Sequence, residues 1–290
     1  MKEAAVELRF LLKVSRPGFW LTSIWFYLLP LGRHDVFGDA RFWLGLLFVT
    51  LPLGIMIYGW NDVVDRETDG LNPRKDTFLF GARPTVEQSA RLPWWIALVQ
   101  APFVLVFTWQ LGWLALAWFA ALVATTALYN WPRIGFKGHP GLDLLNQCAY
   151  LLVFVLSSWL NGLPQAPWFT FVFGALFAMH SHLFGELMDL EPDRAVGRRT
   201  TAVTIGRLPA KALMIALLAG EAALVWQNTR DLWITAFLAG GACFFFADAA
   251  FLWRARPYQP WQMRLAFLGW NAAALLSIPW VWRTGALATP

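Results

Sequence analysis

Residues 92–132, LPWWIALVQAPFVLVFTWQLGWLALAWFAALVATTALYNWP, carry no Asp, Glu, Lys or Arg. A helix needs about 20 apolar residues to cross the hydrocarbon core of a bilayer, so a run of about 40 reads as two spans folded into a hairpin. Gln110-Leu111-Gly112 marks the fold-back, because a glycine interrupts the apolar run there. Residues 144–185 repeat the pattern and turn at Asn161-Gly162-Leu163-Pro164. Runs at 42–61 and 265–282, with others near 17–32, 212–229 and 232–253, bring the total to about nine. The run at 17–32 is short and is interrupted by Pro30. Hydrophobic residues make up 58% of the chain and charged ones 14%, against roughly 25% charged in soluble domains. The predicted fold is an all-α integral membrane protein, about nine transmembrane helices around a central cavity, in one domain over residues 1–290.

Nine spans divide the 23 Lys and Arg very unequally. All but Arg33, Arg41, Arg230 and Arg283 fall with the N-terminus and the loops after spans two, four, six and eight. The positive-inside rule then predicts a cytoplasmic N-terminus and a C-terminus on the opposite side. The net charge of +5 reads as orientation in membrane lipid and affinity for an anionic ligand. No basic surface interleaved with aromatics is present, which argues against a nucleic-acid partner. Cys148 and Cys243 lie in predicted spans without metal-type spacing. The charged N-terminus and the lack of a small-residue cleavage site argue against a cleaved signal peptide.

Charge is scarce, so its clusters are informative. After span two comes Asn61-Asp62-Val63-Val64-Asp65-Arg66-Glu67-Thr68-Asp69. On a continuing helix Asp62, Asp65 and Asp69 share one face. Three such carboxylates repel unless cations lie between them. Hard oxygen ligands suit Mg²⁺, which bridges carboxylates to substrate phosphates. The competing reading is a solvated acidic helix end, which the position at a membrane mouth disfavours. After span six comes Glu186-Leu187-Met188-Asp189-Leu190-Glu191-Pro192-Asp193. Asp189 and Asp193 stand one turn apart, Glu186 lies a turn earlier, and Pro192 is expected to disturb the helix locally. Glu191 points elsewhere.

Basic residues follow both clusters: Arg74, Lys75 and Arg83 after the first, Arg194, Arg198, Arg199 and Arg207 after the second. Carboxylates holding Mg²⁺ and cations gripping the remaining phosphate oxygens together make a diphosphate clamp. Each cluster follows a pair of spans that begins a four-span block, which suggests a duplicated four-helix unit, about 17–132 and 142–253, with a ninth span at 265–282.

The chain resembles the UbiA superfamily of intramembrane prenyltransferases. Asn61, Asp62, Asp65 and Asp69 match the family's Asn-Asp-x-x-Asp-x-x-x-Asp motif in full, and Asp189 and Asp193 match its Asp-x-x-x-Asp. Asp193-Arg194-Ala195-Val196-Gly197-Arg198-Arg199-Thr200-Thr201 resembles the stretch that follows the second motif. Tyr129-Asn130-Trp131-Pro132 and Lys137 resemble the Tyr and Lys turn after span four. The resemblance implies catalytic, metal-binding roles for Asp62, Asp65, Asp69, Asp189 and Asp193. It implies substrate contacts for Asn61, Arg74, Lys75, Arg83, Tyr129, Lys137, Glu186, Arg198 and Arg199. The implied reaction ionises an allylic prenyl diphosphate with Mg²⁺ and captures the cation on a lipophilic acceptor. Arg83-Pro84 is similar to quinone-type members but lies later than usual, whereas Asn72-Pro73-Arg74-Lys75 is similar to carotenoid-elongating ones. An aromatic quinone precursor and a carotenoid or isoprenoid both stay open as acceptor.

Three other activities compete. A terpene cyclase would use the same diphosphate site without an external acceptor. A membrane cation transporter would place carboxylates at the midplane and leaves the neighbouring Arg and Lys unexplained. A CDP-alcohol phosphotransferase needs an Ala-Arg that is absent after Asp69-Gly70. His180 and His182 face different sides of a helix and read as packing or cavity-lining residues rather than metal ligands. Glu221, Asp248 and Asn271 lie inside spans and are expected to face the protein interior. Asp143 reads as a cap at the start of span five.

Overall fold

The computed structural model describes residues 2–72, 74–132 and 134–288, the first three of them by backbone alone. Pro73, within the Asn72-Pro73-Arg74-Lys75 stretch, and Arg133 lie outside the described residues. Helix α1 (Lys2–Val14) precedes α2 (Trp20–Leu28), α3 (Ala40–Phe48), α4 (Leu51–Val64) and the short α5 (Arg66–Leu71). Helices α6 (Val86–Leu111), α7 (Trp113–Asn130), α8 (Leu142–Leu145), α9 (Leu152–Leu160) and α10 (Trp168–Ala195) follow. The chain closes with α11 (Thr201–Ile205), α12 (Arg207–Thr229), α13 (Leu232–Ala247) and α14 (Pro260–Thr284). The described residues contain no strand beyond one isolated bridge between Thr77 and Gly81.

Eight segments are long and apolar enough to cross a membrane: 40–64, 86–111, 113–130, 142–160, 168–195, 207–229, 232–252 and 260–284. The predicted first span is the difference. Its α part is only Trp20–Leu28, flanked by 3-10 turns Pro17–Phe19 and Leu29–Leu31. Prolines lack the N–H that would continue an α-helix, and the whole segment covers only about 25 Å, short of the ~30 Å hydrocarbon core. The bundle therefore has eight long crossings and a shorter, broken ninth.

Gly112, at φ +62, turns α6 back along α7 where the long apolar run was expected to fold. Helix α12 lies against α10 and α13, α4 against α6, and α2 against α9 and α14. Phe26, Phe42, Phe48, Phe107 and Phe154 are buried between them, while Trp94, Trp109, Trp113 and Trp233 project outward. An apolar outer surface fits lipid, and dispersion between close-packed helices then holds the bundle together. At Gly54 a Cβ would stand 2.4 Å from the Ser15 carbonyl oxygen. Only glycine lets the end of α1 come so close to α4.

Charges inside the bundle are paired. Lys211 of α12 meets Asp248 at 2.7 Å with both side chains fully buried, and the Tyr258 hydroxyl donates to the same carboxylate. Asp248 opens a π-helical turn, Asp248–Leu252, at the end of α13. Removing one partner of a buried pair leaves the other charge uncompensated, at a cost of about 3–5 kcal/mol. Lys211→Ala is therefore expected to lower the thermal unfolding midpoint in detergent markedly; an unchanged midpoint would contradict this role. Glu221 is held by His180 at 2.5 Å, and the Asn271 amide donates to the Phe267 carbonyl. Glu221 and Asp248 thus face the interior, as expected.

Candidate active site

The C-terminal ends of α1, α4, α7 and α10 meet at one end of the bundle. Helix C-termini carry partial negative charge, so carboxylates there are destabilised unless cations join them. Asp62, in the last turn of α4, has no exposed surface. Its Oδ1 accepts from Arg16 at 2.7 Å and from Lys75 at 3.0 Å. The Lys75 ammonium also stands 2.6 Å from Asp69. Helix α4 breaks at Asp65, yet the Asp65 and Asp69 amides still donate four residues back, to Asn61 and Asp65. The three aspartates keep one buried face across that break.

Helix α10 runs unbroken through Pro192 to Ala195, so the expected local disturbance does not separate Asp189 from Asp193. Arg198 joins the two motifs. Its guanidinium donates to Asp65 at 2.6 Å and to Asp193 at 3.2 Å. Lys137 donates to the same Asp65 oxygen at 2.6 Å and to the Asn130 side chain at 3.2 Å. A second bridge links the loop after α5 to α10: the Asn72 amide donates to Asp189 at 2.8 Å, and Arg74 pairs with the other carboxylate oxygen. Arg83 ties this loop down by donating to the Asn72 carbonyl at 2.7 Å.

Burial and charge act in opposite directions here. Burial works to raise Asp65, but Lys137 and Arg198 outweigh it and hold the carboxyl below its usual range. Burial dominates at Asp69, pushing it up to about 6 against the pull of Lys75. Burial also lowers the Lys137 ammonium, with Asp65 opposing. Arg16 sits at φ +51 and its side chain passes over Gly81, where a Cβ would lie 2.7 Å from its Nε. The Arg16 guanidinium also stacks 4.4 Å from the Tyr58 ring centre.

A model of the UbiA prenyltransferase family matches residues 19–272. The chain belongs to the UbiA prenyltransferase family. This UbiA-family chain is 28% identical over 235 residues to a lycopene elongase/hydratase of Corynebacterium glutamicum, covering 79% of this chain and 80% of the relative. It is 32% identical over 206 residues to a lycopene elongase/hydratase of Haloarcula japonica, covering 69% and 68%. Its fold matches that of a UbiA homolog from Archaeoglobus fulgidus bound to DMAPP and Mg²⁺, with a TM-score of 0.67, 18% identity and coverage of 96% and 99%. The protein is a multi-pass membrane prenyltransferase.

Within this UbiA-family enzyme the site's network consists of three ion-paired groups: Asp62 and Asp69 with Lys75 and Arg16, Asp65 and Asp193 with Arg198 and Lys137, and Asp189 with Arg74. Arg83 reaches it only through the Asn72 carbonyl. Arg199 is exposed, and the Asn61 side chain makes no hydrogen bond among the described residues. Glu186 and Tyr129 stand beside the network, each meeting His182. Glu191 pairs with Arg207 away from the site, as expected. Sequence reasoning missed Arg16, whose only local signal is a lone Arg before Pro17-Gly18, and the Asn72 side chain. Asp143 does more than cap: it accepts from the Thr201 amide at 2.6 Å and hydroxyl at 2.5 Å, anchoring the stretch after the second motif.

Proposed function

We propose that the chain transfers a prenyl group from an allylic prenyl diphosphate, held with Mg²⁺, to an acyclic carotenoid of the lycopene type. The observation that carries this reading is Arg198 bridging Asp65 and Asp193, which supports reading the two Asp motifs as one site. The names of the curated relatives favour the carotenoid acceptor over an aromatic one. Carboxylates tied to Arg and Lys at one end of the bundle also fit a diphosphate site better than a midplane cation path.

The residues fit Mg²⁺. Asp62 Oδ2 is buried without a hydrogen-bond donor, a costly state for a carboxylate oxygen, and all the acidic donors are hard oxygens. Among the described residues no three His, Cys, Asp or Glu side chains are grouped so as to hold a metal ion by themselves. Asp62, Asp65 and Asp69 on one side, with Asp189 and Asp193 on the other, would hold it. When bound, Mg²⁺ neutralises the charge that develops on the leaving diphosphate. Lys75, Lys137, Arg74 and Arg198 exchange a carboxylate contact for a phosphate oxygen, and Arg16 keeps Asp62 oriented.

The purified enzyme, given DMAPP and Mg²⁺, is expected to form a C5-extended product with lycopene, read by mass spectrometry. Extension of an aromatic acceptor instead would overturn the acceptor assignment. A cyclised hydrocarbon formed from a longer allylic diphosphate without any acceptor would favour a cyclase.

The orientation follows the charge asymmetry, with the N-terminus and the site cytoplasmic. Cysteines introduced at the exposed Thr77 and Arg199 are expected to label from the cytoplasmic side, and one at Gln165 from the other. Thr200, a buried cap of α11, is unsuited to labelling. Reaction of Thr77→Cys and Gln165→Cys from the same side would contradict this orientation.

A further inference from the structure

Two turns into the bundle from Asp189 lies a polar group that the diphosphate site does not use. His182 and Asp189 are seven residues apart on α10, so they share a face and stand about 10 Å apart along the axis. His182 Nε2 is 3.3 Å from the Tyr129 hydroxyl of α7 and 3.3 Å from Glu186 Oε1. Glu186 is 5% exposed. Its Oε2 accepts from the Ala202 amide at 2.9 Å, while its Oε1 is buried with no hydrogen-bond donor. The His182 side chain remains 24% exposed. An undonated carboxylate oxygen in an apolar bundle points to a ligand with a proton to give. A hydroxyl, an imidazole nitrogen and a carboxylate oxygen grouped this closely supply the two to four partners that one water needs.

We propose that His182, positioned by Tyr129 and Glu186, binds a water and takes its proton when that water quenches the carbocation left by prenyl transfer. The inference rests on the carotenoid reading above. The donor C–O bond breaks and its electron pair leaves with diphosphate. The acceptor's π pair forms the new C–C bond and leaves a tertiary cation on the other alkene carbon. A water lone pair closes that cation as a C–O bond, and the released proton passes to His182 Nε2, the resulting imidazolium being balanced by Glu186. This requires the His182 tautomer protonated at Nδ1. Without the base, the cation loses a neighbouring C–H proton and ends as an alkene.

The test incubates wild type and His182→Ala with DMAPP, lycopene and Mg²⁺ in ¹⁸O-water, measuring diphosphate release and the carotenoids formed. Wild type is expected to give an ¹⁸O-labelled tertiary alcohol. His182→Ala is expected to keep diphosphate release within about tenfold while its alcohol-to-alkene ratio falls by about tenfold or more, the low end for loss of a general base. Glu186→Gln is expected to shift the ratio the same way. Where the alanine variant loses thermal stability, His182→Gln, which keeps a polar side chain without the imidazole base, is read identically. An unchanged ratio, an unlabelled wild-type product, or parallel loss of diphosphate release and both products overturns the role of His182. A wild type that releases no diphosphate from DMAPP overturns instead the donor reading beneath it.

Discussion

Asp65→Asn and Asp193→Asn are each expected to lower turnover by on the order of 10²-fold or more, the scale seen when one group of a preorganised electrostatic site is removed. The double variant is expected to lose little beyond either single one. Asp65 and Asp193 share Arg198, and Asp65 also holds Lys137. Losing either carboxylate frees the guanidinium from its bridging position. Residues that act as a unit are strongly non-additive. Steady-state turnover, compared at equal amounts of inserted protein, checks this. Losses that multiply would mean that the two motifs act independently.

Removal of divalent metal is expected to have the larger effect. Excess EDTA should abolish prenyl transfer, and added Mg²⁺ should restore it. Lys75 and Arg16 offset the acidic cluster only in part, because Asp62 Oδ2 is buried without a donor. A diphosphate meeting these carboxylates without an intervening cation is repelled. Full activity in EDTA would contradict the Mg²⁺ role.

The crossings and both Asp motifs were legible because their signals are local. A charge-free run of about 40 residues must fold back on itself, and carboxylates at helical spacing share a face whatever surrounds them. The contacts that complete the site are not local. Arg16 reaches Asp62 across 46 residues, Lys137 reaches Asp65 across 72, and Arg198 reaches it across 133. Periodicity places a residue on its own helix but carries no information about which helix packs opposite. His182 illustrates the limit: its spacing from His180 shows that the two diverge, yet nothing local shows that one meets Glu221 and the other Tyr129. The first span is shorter than the other eight for a reason that is local too. Apolarity was read correctly over 17–32, but Pro17 and Pro30 shorten the α-helix to nine residues.

The most direct test is mass spectrometry of lipids from a lycopene-accumulating host that expresses either the wild type or Asp62→Asn, at equal membrane levels. The account expects a C5-extended carotenoid with the wild type and none with Asp62→Asn. The same extended carotenoid from both, or none from either while another lipid gains the prenyl group, would contradict it.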